Sequence, residues 1–273
     1  MIQKKRHTKH GRAVAGIDCK LLISYHKITI KTLSTMKRLL LSILVIATTL
    51  SSSAQNDSKK KILDKEYFEE SLYWAEGGDV EAMLEVAEFY EAGFGTTKNL
   101  NEAFKWYMEA AQKGSNYAIY VVGDMYHNGL GTTKNQEKAF QWFERGYNKE
   151  ERNCMYELGR MYENGEYVTR DLSKAFKLYL KAAELNSHIA MEKVAPWYYY
   201  GTGIEKDLTN SFVWYKRLAD SGNASGMHGL ACFYYKGDVV KEDKPKAIEL
   251  FQKAARKGYE RAQTFLKQIG RTW

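Results

Sequence analysis

The sequence predicts an all-α protein, a right-handed α-solenoid of stacked helix-turn-helix repeats with a 36-residue period. Three observations predict it. The string Gly93-Phe94-Gly95-Thr96-Thr97-Lys98-Asn99 returns 36 residues later as Gly129-Leu130-Gly131-Thr132-Thr133-Lys134-Asn135. A tyrosine and then a glycine recur in step, as Tyr90 and Gly93, Tyr126 and Gly129, Tyr162 and Gly165, Tyr198 and Gly201, Tyr234 and Gly237. A bulky pair follows at the same interval: Trp106-Tyr107, Trp142-Phe143, Leu178-Tyr179, Trp214-Tyr215 and Leu250-Phe251. The register never slips, and such self-similarity is the signature of a repeat architecture.

The first 54 residues stand apart. They hold ten Lys or Arg and one acid, which leaves 31 bases against 32 acids in residues 55–273. The net charge of +8 is therefore no sign of a nucleic-acid surface, which needs a basic patch on the folded domain. Residues 1–35 read as an upstream extension before Met36. Residues 36–54 have the three-part plan of an export signal: Met36-Lys37-Arg38, the apolar stretch Leu39 to Leu50, then small residues ending at Ala54. Cleavage is expected after Ala54, with an exported protein, periplasmic or secreted. The apolar stretch falls short of the ~20 residues that span a bilayer, so no stable membrane insertion is expected once it is removed. Residues 55–61 read as a polar linker.

The solenoid is expected over 62–273. A half repeat (62–81) comes first, then full units at 82–117, 118–153, 154–189, 190–225 and 226–261, then a C-terminal capping helix (262–273). In each unit the apolar residues fall on one face of two successive helices, as at Ala82, Val86, Ala87 and Tyr90, then Ala103, Trp106, Tyr107, Ala110 and Ala111. Gly93 and its equivalents end the first helix. Asn99, Asn135, Asp171, Asp207 and Asp243 begin the second as N-caps, and Asn99 with Glu102 has capping-box spacing. Small residues at Ala87, Gly123, Gly159, Ala195 and Ala231 let helices approach closely. One helix pair cannot bury its own apolar face, so the units must stack. Pro196 should kink its helix. Trp106, Trp142 and Trp214 are expected in the core by their helical spacing.

The run Ala-x3-Leu/Val-Gly/Ala-x2-Tyr-x2-Gly-x-Gly, then Asp/Asn-x2-Lys-Ala-x2-Trp-Tyr-x-Lys-Ala-Ala-x2-Gly, resembles the Sel-one-like repeat (SLR), a relative of the tetratricopeptide repeat (TPR). The resemblance covers about 62–270. It departs locally at Gly146-Tyr147-Asn148, at Tyr167 in place of the second turn glycine, and at Pro196. It implies a scaffold or adaptor that binds proteins.

Candidate chemistry is sparse. Beyond residue 54 the histidines are His127, His188 and His228, in different units and without a second ligand at helical spacing, so no metal site is expected. Cys154 takes a small core position and Cys232 a more exposed one. They lie two units apart, roughly 20 Å at ~10 Å per helix layer, too far for a disulfide. The resemblance raises a penicillin-binding or β-lactamase-like alternative, since some bacterial members are cysteine-rich. This chain lacks that cysteine pattern, and its Ser-x-x-Lys, Ser58 to Lys61, precedes the first full repeat without a Lys-Thr-Gly or Ser-Asp-Asn. The Gly-x-Gly pairs follow helices, not strands, so a nucleotide loop fails on context. No enzyme activity and no cofactor are expected.

What remains is the face of the first helices, expected to line a concave groove by analogy with TPR solenoids. Its outward positions read Leu84, Glu88, Glu91; Tyr120, Asp124, His127; Tyr156, Arg160, Glu163; Glu192, Pro196, Tyr199; His228, Cys232, Tyr235. Tyrosine and arginine are favoured at interface hot spots. The partner-binding residues expected from sequence are Tyr120, Asp124, His127, Tyr156, Arg160, Glu163, Tyr199, His228 and Tyr235, with Tyr120 and Tyr156 foremost. The partner would be a protein or peptide, bound by a monomer. The acidic N-terminal half would favour a basic ligand. A structural assembly factor of an envelope complex is the other non-catalytic reading.

Overall fold

The computed structural model describes residues 53–273. Twelve helices and no strands occur among the described residues. They are α1 (Ser53–Glu76), α2 (Val80–Ala92), α3 (Leu100–Gln112), α4 (Asn116–Asn128), α5 (Gln136–Tyr147), α6 (Arg152–Asn164), α7 (Leu172–Glu184), α8 (His188–Tyr200), α9 (Leu208–Asp220), α10 (Ala224–Lys236), α11 (Lys244–Arg256) and α12 (Glu260–Gln268). The chain divides at Tyr67 into an N-terminal unit and the repeat array Phe68–Trp273. The expected export signal lies outside the described residues apart from its last two. Residues 55–61, read as a linker, form turns of α1.

Five helix pairs make the array, each first helix packing on its own second helix and each second helix on the next pair. The caps follow the sequence. Gly93, Gly129, Gly165, Gly201 and Gly237 all end first helices in the left-handed region, where only glycine is free of a Cβ penalty. Asn99, Asn135, Asp171, Asp207 and Asp243 accept from backbone N–H groups of the first turn that follows. The capping box at Asn99 is incomplete. The Asn99 N–H donates to the Tyr90 carbonyl at 2.7 Å, and Glu102 instead pairs with Lys105 at 2.7 Å. The same return bond recurs from Asn135 to Tyr126, Asp171 to Tyr162, Asp207 to Tyr198 and Asp243 to Tyr234. It ties the end of each first helix to the start of the second.

Packing between units rests on a ladder the tyrosine repeat foreshadows. Phe104 meets Tyr126 edge-on at 5.2 Å, and Phe140 meets Tyr162, Phe176 meets Tyr198, and Phe212 meets Tyr234 in the same way. Phe68 on α1 meets Tyr90 at 5.2 Å, so this part of α1 serves as the second helix of the half repeat. Such pairs contribute about 0.5–1.5 kcal/mol beyond their buried area.

Within a unit the anchor is the second member of the bulky pair. Tyr107, Phe143, Tyr179 and Phe251 are at most 1% exposed. This corrects the expectation for the tryptophans. Trp214 is buried, but Trp106 and Trp142 are only partly so. The small positions explain the difference. A Cβ on Gly123 would stand 2.5 Å from Phe143 Cε1, and one on Gly159 would stand 2.6 Å from Tyr179 Cε1. In these two units the ring leans on the first helix; Arg145 lies over the half-buried Trp142 at 4.9 Å, and in unit four Arg217 lies over the buried Trp214 at 5.2 Å.

Local departures from the repeat come as matched pairs. Gly146 makes room for Cys154, whose Sγ would lie 2.2 Å from a Cβ there. Gly226 makes room for Leu218 at 2.3 Å. α8 continues through Pro196 as one helix, so the proline does not break it.

Candidate functional site: the face of the first helices

The positions two, six and nine residues into each unit fall on one side of α2, α4, α6, α8 and α10. In the first three units this side is largely paired with itself. The buried Tyr107 hydroxyl donates to Glu91 at 3.2 Å, and Tyr179 donates to Glu163 at 2.6 Å. Lys193 reaches both Glu163 oxygens at 3.0 Å. The acid therefore occurs where the second helix carries a tyrosine in these two units. Where it carries Phe143 or Phe251 the position holds His127 or Tyr235 instead, and unit four sets Tyr199 against Tyr215 without an acid. The scaffold thus dictates part of the variation that sequence reading assigns to a ligand.

Arg160 donates to Glu157 at 2.8 Å, an acid on the same helix that the sequence reading passed over. Burial raises the Glu157 carboxyl above its ordinary range, and Arg160 opposes the shift. Asp124 accepts from Asn128 at 2.8 Å and is also raised, mainly by burial. Glu88 is raised by burial and then by Glu91 and Glu85, so like charges crowd this end. Tyr120 and Tyr156 are half-buried, and their rings lie 6.5 Å from Phe143 and 5.2 Å from Tyr179. Tyr120 is one of the outward positions of the repeat, yet it packs against the core. Its packing gives it a structural share. His127 turns toward the next unit, with Nε2 3.7 Å from Glu166. At that corner His127 Nδ1, Gln136 Oε1 and Glu166 Oε2 are buried without a hydrogen-bond partner.

The concavity lies further along. A cavity of about 510 Å³ opens over units four and five, walled by α8, α10 and α12. Tyr199 and His228, both expected from sequence, line it, as do Pro196 and Cys232 from the same register. Tyr235 is not among its walls; its ring packs on Phe265 at 5.2 Å. Gly229 is what lets Tyr215 reach the cavity wall. Units two to four carry Val121, Glu157 and Lys193 at that position, and a Cβ on Gly229 would stand 2.2 Å from Tyr215 Cδ1. Tyr215 leans across the missing side chain and forms the floor with Phe233, 6.2 Å away. Sequence reading missed Tyr215, Gly229, Lys236 and Arg261; the break in the repeat at Gly229 was the available signal.

The cavity's electrostatics follow from its burial. His228 sits between the rings of Phe251 at 5.3 Å and Tyr259 at 5.1 Å. Burial, then the nearby Arg261, pushes its pKa down to about 4, so it is neutral at pH 7. The Tyr199 hydroxyl accepts from Lys236 at 2.9 Å, which raises the lysine's pKa and keeps it charged. Glu192 accepts from Asn223 at 2.8 Å and from Ser225 at 2.9 Å.

Cys154 and Cys232 are free; Cys154 is fully buried, and burial raises both thiols, which disfavours the nucleophilic thiolate. Among the described residues no three His, Cys, Asp or Glu side chains converge as a metal set. Ser58 and Lys61 lie on α1, before the repeat array. No helix among the described residues is long and apolar enough to cross a membrane.

Comparison with known proteins agrees with the repeat. The Sel1 repeat family model matches residues 80–115, 116–150, 152–187, 188–223 and 224–259. A Sel1 repeat protein from Oxalobacter formigenes superposes with a TM-score of 0.64 at 28% identity, covering 70% of this chain and 78% of that one. The protective antigen c5321 from uropathogenic Escherichia coli, which displays an SLR fold, gives a TM-score of 0.68 at 23% identity over 78% of this chain. The match spans 49% of that antigen's length. No curated protein matches the sequence.

Proposed function

The chain belongs to the Sel1 repeat family, and from that premise we propose that it is an exported, non-catalytic scaffold that binds a protein or peptide along the face of its first helices. Sel1 repeat proteins are generally protein-interaction scaffolds. The observation that carries the finer reading is the cavity over units four and five. Five of its wall residues, Glu192, Pro196, Tyr199, His228 and Cys232, come from the outward register positions, and Tyr199, Tyr200, Tyr215 and Tyr259 line it with rings that combine apolar area with a polar tip. Specific pockets of this kind measure ~300–1,000 Å³.

The stripe residues Tyr120, Asp124, His127, Tyr156, Arg160 and Glu163 extend the proposed contact toward the N-terminal units, and Tyr199, His228 and Tyr235 toward the C-terminal end. Much of the first group is held by internal bonds, which supports a rigid, pre-organised surface rather than free charges awaiting a partner. The test is capture of a partner from envelope extract by wild type and by two variants of equal fold. Tyr199→Ala with Lys236→Ala should lose the partner, and Lys177→Ala on the second helices should keep it. The opposite pattern would move the contact to the outer face. Export rests on the Met36–Ala54 pattern. N-terminal sequencing of exported protein should begin at Gln55, and a chain retaining Leu39–Leu50 would contradict export with cleavage.

A further inference from the structure

We propose that the cavity between α8, α10 and α12 takes an aromatic or prolyl side chain from an acidic peptide segment, with Lys236 and Arg261 holding the flanking carboxylates. This deepens the scaffold reading and rests on it.

The ring preference comes from the walls. Tyr199, Tyr215, His228 and Phe233 present ring surfaces, Pro196 adds a fourth kind of flat wall, and Gly229 contributes no side chain. Tyr215 cannot be displaced toward α10 to admit something longer, because it already occupies the space of a Gly229 side chain. A flat ring meets such walls in offset or edge-on contact, where aromatic pairs gain most.

The charge preference comes from which groups already have partners. Glu192, the acid on the cavity wall, is engaged by Asn223 and Ser225. His228 carries no charge at neutral pH. Lys236 keeps its charge, donating to the neutral Tyr199 hydroxyl at 2.9 Å with the Asp238 carboxylate as a weaker influence, and it makes no ion pair among the described residues. Arg261 makes no ion pair among the described residues. Two cations, Lys236 at the end of α10 and Arg261 on α12, face the one carboxylate of the wall, Glu192, so the surplus is positive. At the far end of the stripe Glu88, Glu91 and Asp124 reverse the sign, so an acidic segment is repelled there and confined to units four and five. A second basic cleft, of about 360 Å³, lies on the second helices around Lys174, Lys177 and Lys181. Two of its lysines already donate to Tyr162 and Tyr147. It is the competing site for any acidic ligand.

The experiment selects random displayed peptides on the full-length protein, then measures one synthetic winner. The winner should pair a Trp, Tyr, Phe or Pro with Asp or Glu. Lys236→Glu with Arg261→Glu should weaken it about tenfold or more and should favour its Lys-substituted counterpart, as swapped charges do across an interface. Bound peptide should slow maleimide modification of Cys232, read by peptide mapping. Circular dichroism of the charge-swapped protein checks that it folds. Basic winners that still protect Cys232 would overturn the charge inference and leave the scaffold reading standing. Winners that ignore Cys232 and respond only to Lys177→Glu would place the site on the second helices and overturn both. A selection that enriches no sequence would overturn the proposal.

Discussion

Gly131 should be far less replaceable than Gly222, although both adopt positive φ, +65° and +83° respectively. The left-handed conformation costs an L-residue about 1–2 kcal/mol, and replacing glycine recovers about 0.4–1 kcal/mol from the unfolded chain. At Gly222 that is the whole effect, because a Cβ there would have nothing within 4 Å. At Gly131 the Cβ would stand 2.0 Å from the Leu100 carbonyl oxygen and 2.5 Å from its carbon. That is backbone in the first turn of α3, which cannot rotate aside. Relief requires one unit to shift against the next, an overpacking penalty of about 1–3 kcal/mol. Gly222→Ala should therefore cost about 1 kcal/mol and Gly131→Ala about 2–4 kcal/mol. Urea unfolding followed by circular dichroism measures both. Equal losses would refute the reasoning, since they would mean that the turn backs away from α3 freely and the unit spacing is not pinned there. The third unit shows the alternative. It carries Tyr167 in this position at φ 63°, and its corner holds the unpaired atoms of His127, Gln136 and Glu166.

Two further outcomes follow from the packing and the charges. Tyr107→Ala should cost about 3–5 kcal/mol, and Trp106→Ala clearly less, because the tyrosine is the buried member of the pair; equal losses in urea would contradict this. The folded state holds His228 neutral down to about pH 4, while the unfolded chain takes up the proton near its ordinary value of 6.5. Stability should therefore be unaffected by this group above pH 6.5 and fall as pH drops from there toward 4, and His228→Phe should flatten that part of the profile. An unchanged slope in urea titrations at a series of pH values would show that His228 is not held neutral.

The fold was legible because the repeat carries its own punctuation. Tyrosine, glycine and Asn or Asp in fixed order specify a helix end, a turn and a helix start, and each does so by local chemistry that sequence displays. The core was legible only to the nearest residue. Helical spacing puts Trp106 and Tyr107 on the same side, and the choice between them depends on where the ring finds a small residue on the partner helix. The site was legible as a register and illegible as a place. Positions two, six and nine include Pro196, Tyr199, His228 and Cys232, which line one cavity. Nothing in the stripe itself shows that Tyr107 and Tyr179 use Glu91 and Glu163 internally, since those bonds cross between helices. The cavity wall at Tyr215 depends on Gly229, fourteen residues away, and is legible only once their contact is known.

The central claim is that the first helices form the binding face, and hydrogen–deuterium exchange tests it most directly. Backbone exchange would be compared for the protein alone and saturated with its captured partner or selected peptide. Exchange should slow along α8 and α10 with either ligand, extending to α4 and α6 only with a captured protein partner, while α5 and α7 stay unchanged. Protection confined to α5 and α7 would contradict the claim.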